Sequence, residues 1–217
     1  NVGRQDWALT AANARFDVEP GDLFKMSCAA GAIRKAGERG VGMGVVLLDK
    51  DGSVDSFDIC GDKLLAVALW DMRLQELYDG RCRRLTSFNT AALRNTYTAV
   101  PERLFFPSRG EEIHGFVLKP IDFEPGKKYP VIIDIHGGPK TVFGEVYYHE
   151  MQYWAGQGYF VIFCNPVGSD GRGDFMDIMG KYGTIDYEDL MAFCDAALAA
   201  YPEMDGENFF ETGGSYG

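Results

Sequence analysis

The sequence contains no apolar run long enough to cross a bilayer: Leu64 to Trp70 and Tyr159 to Cys164, its longest, fall far short of the roughly 20 residues that a spanning helix needs. No membrane partner is expected. Clustered positive charge is missing too. With 32 acidic against 21 basic side chains the net charge is −11, and no Lys/Arg-rich stretch offers what a phosphate backbone requires. Nucleic acid is therefore excluded as a partner. The five cysteines, Cys28, Cys60, Cys82, Cys164 and Cys194, form no C-x-x-C pair, so neither a disulfide framework nor a zinc site is expected. No metal and no cofactor is called for, and reduced thiols fit a cytoplasmic protein.

What is present is a globular composition, with 217 residues for one domain or two small ones. The chain starts at Asn1-Val2-Gly3 without an initiator methionine or an apolar leader and stops at Ser215-Tyr216-Gly217. Both ends read as cut, so the chain reads as a fragment.

The first part reads as β. Val45 to Leu48 and Val54 to Ile59 flank an Asp51-Gly52 turn, Lys63 to Trp70 follows, and Glu76 to Tyr78 leads through Asp79-Gly80 to Arg83-Arg84-Leu85. Short strands with turn chemistry between them predict a meander, as in a sandwich or one propeller blade. Arg34 to Gly40 reads as a polar loop. From Thr86 to Val100 the alternation is lost, Ala91 to Arg94 can open a short helix, and Pro101 stops it.

Beyond this linker the character changes. Arg103 to Phe106 and Glu112 to Leu118 predict a hairpin around Ser108-Arg109-Gly110. Val131 to Ile135 and Tyr159 to Cys164 read as buried strands with a helix, Val146 to Ala155, between them. Tyr187, Leu190, Met191, Cys194, Ala197, Leu198 and Tyr201 recur at helical steps over Asp186 to Tyr201, before Pro202. Asn208 to Thr212 is a further short strand. Strands alternating with helices predict parallel pairing in an α/β sheet.

The chemistry is concentrated at two turns. Gly213-Gly214-Ser215-Tyr216-Gly217 fits G-x-S-x-G directly after a strand, a strained turn that exposes the serine Oγ while the flanking glycines admit close backbone. Ser215 is the candidate nucleophile. A developing oxyanion needs donors, and His136-Gly137-Gly138-Pro139 ends the strand Val131 to Ile135, where glycine amides can face a ligand. Taken alone, either turn is equally a structural device.

His136-Gly137-Gly138-Pro139, then Asn165-Pro166-Val167-Gly168-Ser169 with Gly171 and Gly173, then Asp186-Tyr187-Glu188-Asp189-Leu190-Met191, then Gly213 to Gly217, resemble in order and spacing the prolyl oligopeptidase family of serine peptidases. The acylaminoacyl-peptidase and dipeptidyl-peptidase-like branch is the nearest in pattern. The resemblance implies an α/β hydrolase domain, here its N-terminal half with a mostly parallel sheet, preceded by an all-β region resembling the end of a β-propeller. The implied division is residues 1–85, partial propeller; 86–102, linker; and 103–217, hydrolase domain ending just past the nucleophile turn. It further implies a peptidase acting on short peptides, in which Ser215 attacks the scissile carbonyl and the amides of Tyr216 and Gly138 hold the oxyanion. His136, Gly137, Gly213 and Gly217 support those turns. Dipeptidyl-peptidase relatives carry a tyrosine donor where this chain has His136, which favours backbone donors.

Two departures stand out. The family's acid and base follow the nucleophile as Asp and then His, and none of His114, His136 and His149 fits that place by motif. Without its base a serine is a poor nucleophile, so these 217 residues alone are expected to be inactive. Val167 stands where many relatives carry arginine. Two other readings remain open: a carboxylesterase of the α/β-hydrolase fold, which the blade-like first part disfavours, and a non-catalytic binding module that retains the fold.

Other features have plainer readings. Asp49, Asp51 and Ser53 mimic a calcium loop, but its twelfth position is Cys60. Gly40, Gly42 and Gly44 precede a strand, the wrong order for a phosphate cradle. Arg172-Gly173-Asp174 matches an adhesion tripeptide by coincidence, and His149 is read as a packing or surface residue. The acidic run Asp186, Glu188 and Asp189 falls at a helix start, where carboxylates complement the dipole.

Overall fold

The computed structural model describes residues 30–37, 40–47, 53–60, 63–170 and 178–217. The chain forms two compact units, Asn1–Thr96 and Tyr97–Gly217.

In the first unit, β1 (Ala30–Gly37) and β2 (Gly40–Leu47) pair antiparallel from Ala30 opposite Leu47 to Gly37 opposite Gly40. This corrects the loop expected over Arg34 to Gly40: Arg34 and Lys35 lie on β1, and Gly40, Gly42 and Gly44 lie within its partner, while Glu38 and Arg39 fall outside the described residues. β3 (Ser53–Cys60), β4 (Lys63–Leu69) and β5 (Glu76–Asp79) form an antiparallel meander in that order. The expected pairing of Val45 to Leu48 with Val54 to Ile59 is absent among the described residues, since β2 pairs with β1 and β3 with β4. Alternation on β4 is strict, with Leu64, Ala66 and Ala68 buried, continuing to Trp70, which packs against Tyr78 at 4.3 Å between ring centroids. Glu76, buried, accepts bonds from the Thr86 hydroxyl and the amides of Phe88 and Asn89, fastening the segment after β5 to its start. Among the described residues these strands close no propeller. A short helix α1 (Thr90–Leu93) follows.

The second unit is built on a five-stranded sheet of β6 (Glu102–Ser108), β7 (Glu111–Leu118), β8 (Tyr129–Ile135), β9 (Phe160–Cys164) and β10 (Met204–Gly213). The strand order is β10-β8-β9-β7-β6. β10, β8 and β9 run parallel, while β7 and β6 join antiparallel, so the sheet is mixed rather than mostly parallel. The cause is local: Arg109 and Gly110, both at positive φ, turn β6 straight back as β7, leaving no room for a crossover helix. Parallel pairing starts only at β8, where α2 (His149–Gly156) and α3 (Ile185–Ala200) supply the crossovers.

Each face of the sheet is covered. Phe193, Ala197 and Leu190 of α3 pack on Phe106, Ile113, Val117, Val131, Ile133 and Ile162. On the other face Met151 and Ala155 of α2 meet Phe116, Leu118, Val161 and Phe163. β9, buried along its whole length, lies in the middle of this sandwich. Full burial of one such phenylalanine is worth about 2 to 3 kcal/mol, so the two helices fix the sheet that carries the turns described next.

Candidate active site

The register of β10 against β8 sets up the site. Gly213 pairs with Ile135, the last residue of each strand, and the two chains then leave the sheet side by side. Ser215 is two residues beyond Gly213, and Gly137 two beyond Ile135. Both turns therefore lie at the carboxyl edge of the parallel strands, where open α/β sheets bind ligands. The segment after β9, Asn165–Ser169, leaves at the same edge.

Ser215 has φ 60, in the left-handed region, and is exposed. Such a conformation is costly for a residue with a Cβ and needs surrounding structure to hold it. The Gly217 amide closes the turn on the Gly214 carbonyl at 3.1 Å. A Cβ on Gly217 would collide with Ile135, and one on Gly213 would come 2.9 Å from the Ile135 carbonyl oxygen. A Cβ on Gly137 would stand 2.9 Å from the Gly214 carbonyl oxygen and 3.6 Å from Ser215 Oγ. The two turns are thus in contact, backbone against backbone. Gly138, at φ 116, occupies a conformation that favours glycine.

Side chains lock the His136 to Gly144 loop to the segment after β9. His136 is buried, with Nδ1 2.8 Å from the Gly137 carbonyl oxygen and Nε2 2.9 Å from Ser169 Oγ. A carbonyl only accepts, so Nδ1 carries the proton and Nε2 accepts from the Ser169 hydroxyl. Burial lowers the His136 pKa, outweighing the Gly137 bond and the Asp170 charge, and keeps the ring neutral as this pattern requires. Asn165 makes a second tether, accepting from the Phe143 amide at 2.8 Å and donating to its carbonyl at 2.9 Å. The Asp170 amide donates to the Thr141 carbonyl at 2.8 Å as a third.

That segment is itself anchored by α3. Asp189, fully buried, accepts from Ser108 Oγ at 2.5 Å, Arg109 Nε at 2.8 Å, Arg109 Nη2 at 2.9 Å and the Val167 amide at 2.8 Å. Burial pushes its carboxyl up, and those four bonds together bring it below the ordinary value. One turn earlier, Asp186 accepts the Tyr216 hydroxyl at 2.5 Å. The acidic run therefore does more than complement a helix dipole: two of its carboxylates hold the loops around Ser215. The signal in the sequence was three-residue spacing, which puts Asp186 and Asp189 on one face of α3. Two of the partners of Asp189, Ser108 and Arg109, lie about 80 residues upstream and left no local trace.

The three histidines are all placed. His136 is engaged as described, His114 packs on β7 between Phe105 and Phe116, and His149 is exposed at the start of α2. Among the described residues no imidazole bonds to Ser215 Oγ. Val167 is fully buried. Burial, with the Asp195 charge, raises the Cys194 thiol to about 11. Among the described residues no cluster of His, Cys, Asp or Glu could hold a metal, and no helix is long and apolar enough to cross a membrane. Asp49, Asp51, Gly171, and the tripeptide Arg172-Gly173-Asp174 lie outside the described residues.

A left-handed serine between glycines, following a parallel strand and abutting a glycine loop from the neighbouring strand, is the nucleophile-turn arrangement of α/β hydrolases. Over residues 145–217 the chain matches the family model of the prolyl oligopeptidase family. It is 37% identical over 138 residues to the uncharacterized peptidase YuxL of Bacillus subtilis, across 62% of this chain and 21% of that protein. Dipeptidyl-peptidase 5 of Arthroderma otae is 30% identical over 179 residues, across 77% of this chain and 25% of the relative. The chain thus spans about a quarter of the length of these curated relatives. Solved acylaminoacyl peptidases, one from Pyrococcus horikoshii and one in complex with Z-Gly-Gly-Phe-chloromethyl ketone, match with a TM-score of 0.74 and 31% identity. Those matches cover 81% of this chain and 30% of each structure.

Proposed function

We propose that the protein carrying this chain is a serine peptidase that cleaves short peptides through an acyl-enzyme on Ser215. The observation that carries this reading is the contact between the strained Ser215 turn and the Gly137-Gly138 loop at one sheet edge. In the proposed mechanism Ser215 Oγ attacks the scissile carbonyl carbon and its proton passes to an imidazole. The carbonyl oxygen, now negative, takes hydrogen bonds from the Tyr216 and Gly138 amides, the interaction that lowers the barrier most in acyl transfer. Collapse expels the amine with that proton, and water then releases the acyl group by the same route. His136, through Ser169, holds the donor loop rather than moving protons.

The general base is proposed to be a histidine other than His114, His136 and His149, none of which bonds to Ser215 Oγ and the second of which is already bonded at both nitrogens. The 217 residues by themselves are proposed to be inactive for this reason. The family resemblance implies an Asp and a His later in the natural chain. Residues 1–85 are proposed as part of a propeller, residues 86–102 as the linker to the hydrolase domain, and the setting as cytoplasmic, with short peptides as the partners.

The named relatives, a dipeptidyl-peptidase and an acylaminoacyl peptidase, support amide rather than ester substrates. A chromogenic acyl-amino-acid anilide offered to the full-length protein beside the matching ester tests this. Hydrolysis of the anilide is expected; turnover of the ester alone would replace the peptidase reading by an esterase.

A further inference from the structure

Tyr216 is joined to the start of α3 by its side chain. Its hydroxyl donates to Asp186 Oδ2 at 2.5 Å and accepts from the Gly183 amide at 3.1 Å, an amide that also reaches Oδ2 at 3.3 Å. The Tyr182 ring packs edge-on against the Tyr216 ring, with 5.6 Å between centroids. Asp186 is only 4% exposed, and its Oδ1 is buried without a hydrogen-bond partner among the described residues. A half-satisfied buried carboxylate is costly and calls for a reason beyond packing. Burial and the bond to Asp186 raise the phenol to about 12, so the hydroxyl stays the donor.

The geometry around it supplies a reason. Three of the five residues from Gly213 to Gly217 are glycines, with no side chain to hold the turn. The backbone at Gly213 and Gly217 abuts Ile135, and the peptide between Ser215 and Tyr216 has in addition to aim its N–H within a few tenths of an ångström. A charge-assisted bond to the Tyr216 ring, made from a helix start 30 residues away, provides that restraint.

We propose that Asp186 is a positioning residue for acyl transfer: its carboxylate holds the Tyr216 hydroxyl and thereby fixes the backbone N–H of Tyr216, the donor beside Ser215. This rests on the reading of Ser215 as nucleophile. The acid at position 186 is then a determinant of rate, acting through a ring and a peptide bond without touching substrate.

The test uses the full-length protein with Asp186→Asn, Tyr216→Phe and the double variant, measuring kcat and KM on a peptide anilide together with the thermal midpoint. Each single change is expected to lower kcat about tenfold with KM within about twofold, as for loss of a transition-state interaction. The double variant is expected to be no slower than the slower single, because both break one link. Tyr216→Phe removes only a hydroxyl, so it carries the test if Asp186→Asn folds poorly. Three results overturn the proposal: kcat retained in Tyr216→Phe, losses that multiply in the double variant, or a lowered midpoint with unchanged kcat. Ser215→Ala is run in parallel. If it keeps turnover, the nucleophile reading itself fails; if it is dead while Tyr216→Phe is fully active, only the positioning role fails.

Discussion

Gly137 and Gly214 face each other across the two turns, yet only one of them has room for a side chain. A Cβ on Gly137 would meet the Gly214 carbonyl oxygen at 2.9 Å and Ser215 Cβ at 3.1 Å, whereas a Cβ on Gly214 meets nothing within 4 Å. Carbon contacts are comfortable at about 3.5 Å, so Gly137→Ala has to separate the turns by roughly half an ångström. Overpacking of this kind costs about 1 to 3 kcal/mol of stability. Its effect on rate is sharper: a displacement of 1 Å at a reacting group costs about a hundredfold, so half that displacement costs about tenfold. The assay is steady-state hydrolysis of a peptide anilide by the full-length protein. Gly137→Ala is expected to reduce kcat about tenfold with KM little changed, while Gly214→Ala stays within twofold of the parent. Equal activity of Gly137→Ala and the parent, or equal damage from the two alanines, would refute the claim that the turns work as one unit.

Three further outcomes follow from the buried polar groups. Asp189→Asn leaves Arg109, 22% exposed, facing a neutral amide, and is expected to lower the unfolding free energy in urea by about 2 to 4 kcal/mol; a loss below about 1 kcal/mol would show that the cluster does not hold the loop. His136 has a folded pKa below its ordinary 6.5, so the unfolded chain takes up the proton first and stability falls as pH drops below that value. The thermal midpoint should therefore decrease between about pH 7.5 and pH 5.5, and His136→Gln should flatten that decrease. Asp134 behaves in the opposite sense. Burial, helped by the Glu150 charge, raises it to about 6, so the folded state prefers the protonated form and stability falls as pH rises from the ordinary 3.8 through about 6. Asp134→Asn is expected to gain about 1 kcal/mol near neutral pH, after allowance for partial exposure, and no gain over acidic conditions would contradict the assignment.

Which parts of this were legible in the sequence follows from where the determining contacts lie. β8, β9 and α3 were readable because an apolar run or a helical stripe is itself the consequence of burial on two faces or one. β1 was not, since Arg34, Lys35 and Gly37 carry no strand pattern and owe their conformation to pairing with β2. β10 starts at Met204, four residues before the expected Asn208, because its register against Tyr129 is set across the sheet, with an irregularity before Phe209. The turn at Ser215 and the glycine loop were visible as motifs, and the structure gives their reason in the shared offset past Gly213 and Ile135. The carboxylates of Asp186 and Asp189 were visible only as charge. Their partners, Tyr216, Ser108, Arg109 and Val167, come from three other segments, and only folding brings them together.

The central claim is that Ser215 is the nucleophile. Treating the full-length protein with a serine-directed fluorophosphonate and sequencing the labelled peptide by mass spectrometry tests it directly. One adduct is expected, on Ser215, with labelling and anilide hydrolysis lost together in Ser215→Ala. An adduct on another serine, or hydrolysis that persists in Ser215→Ala, would contradict it.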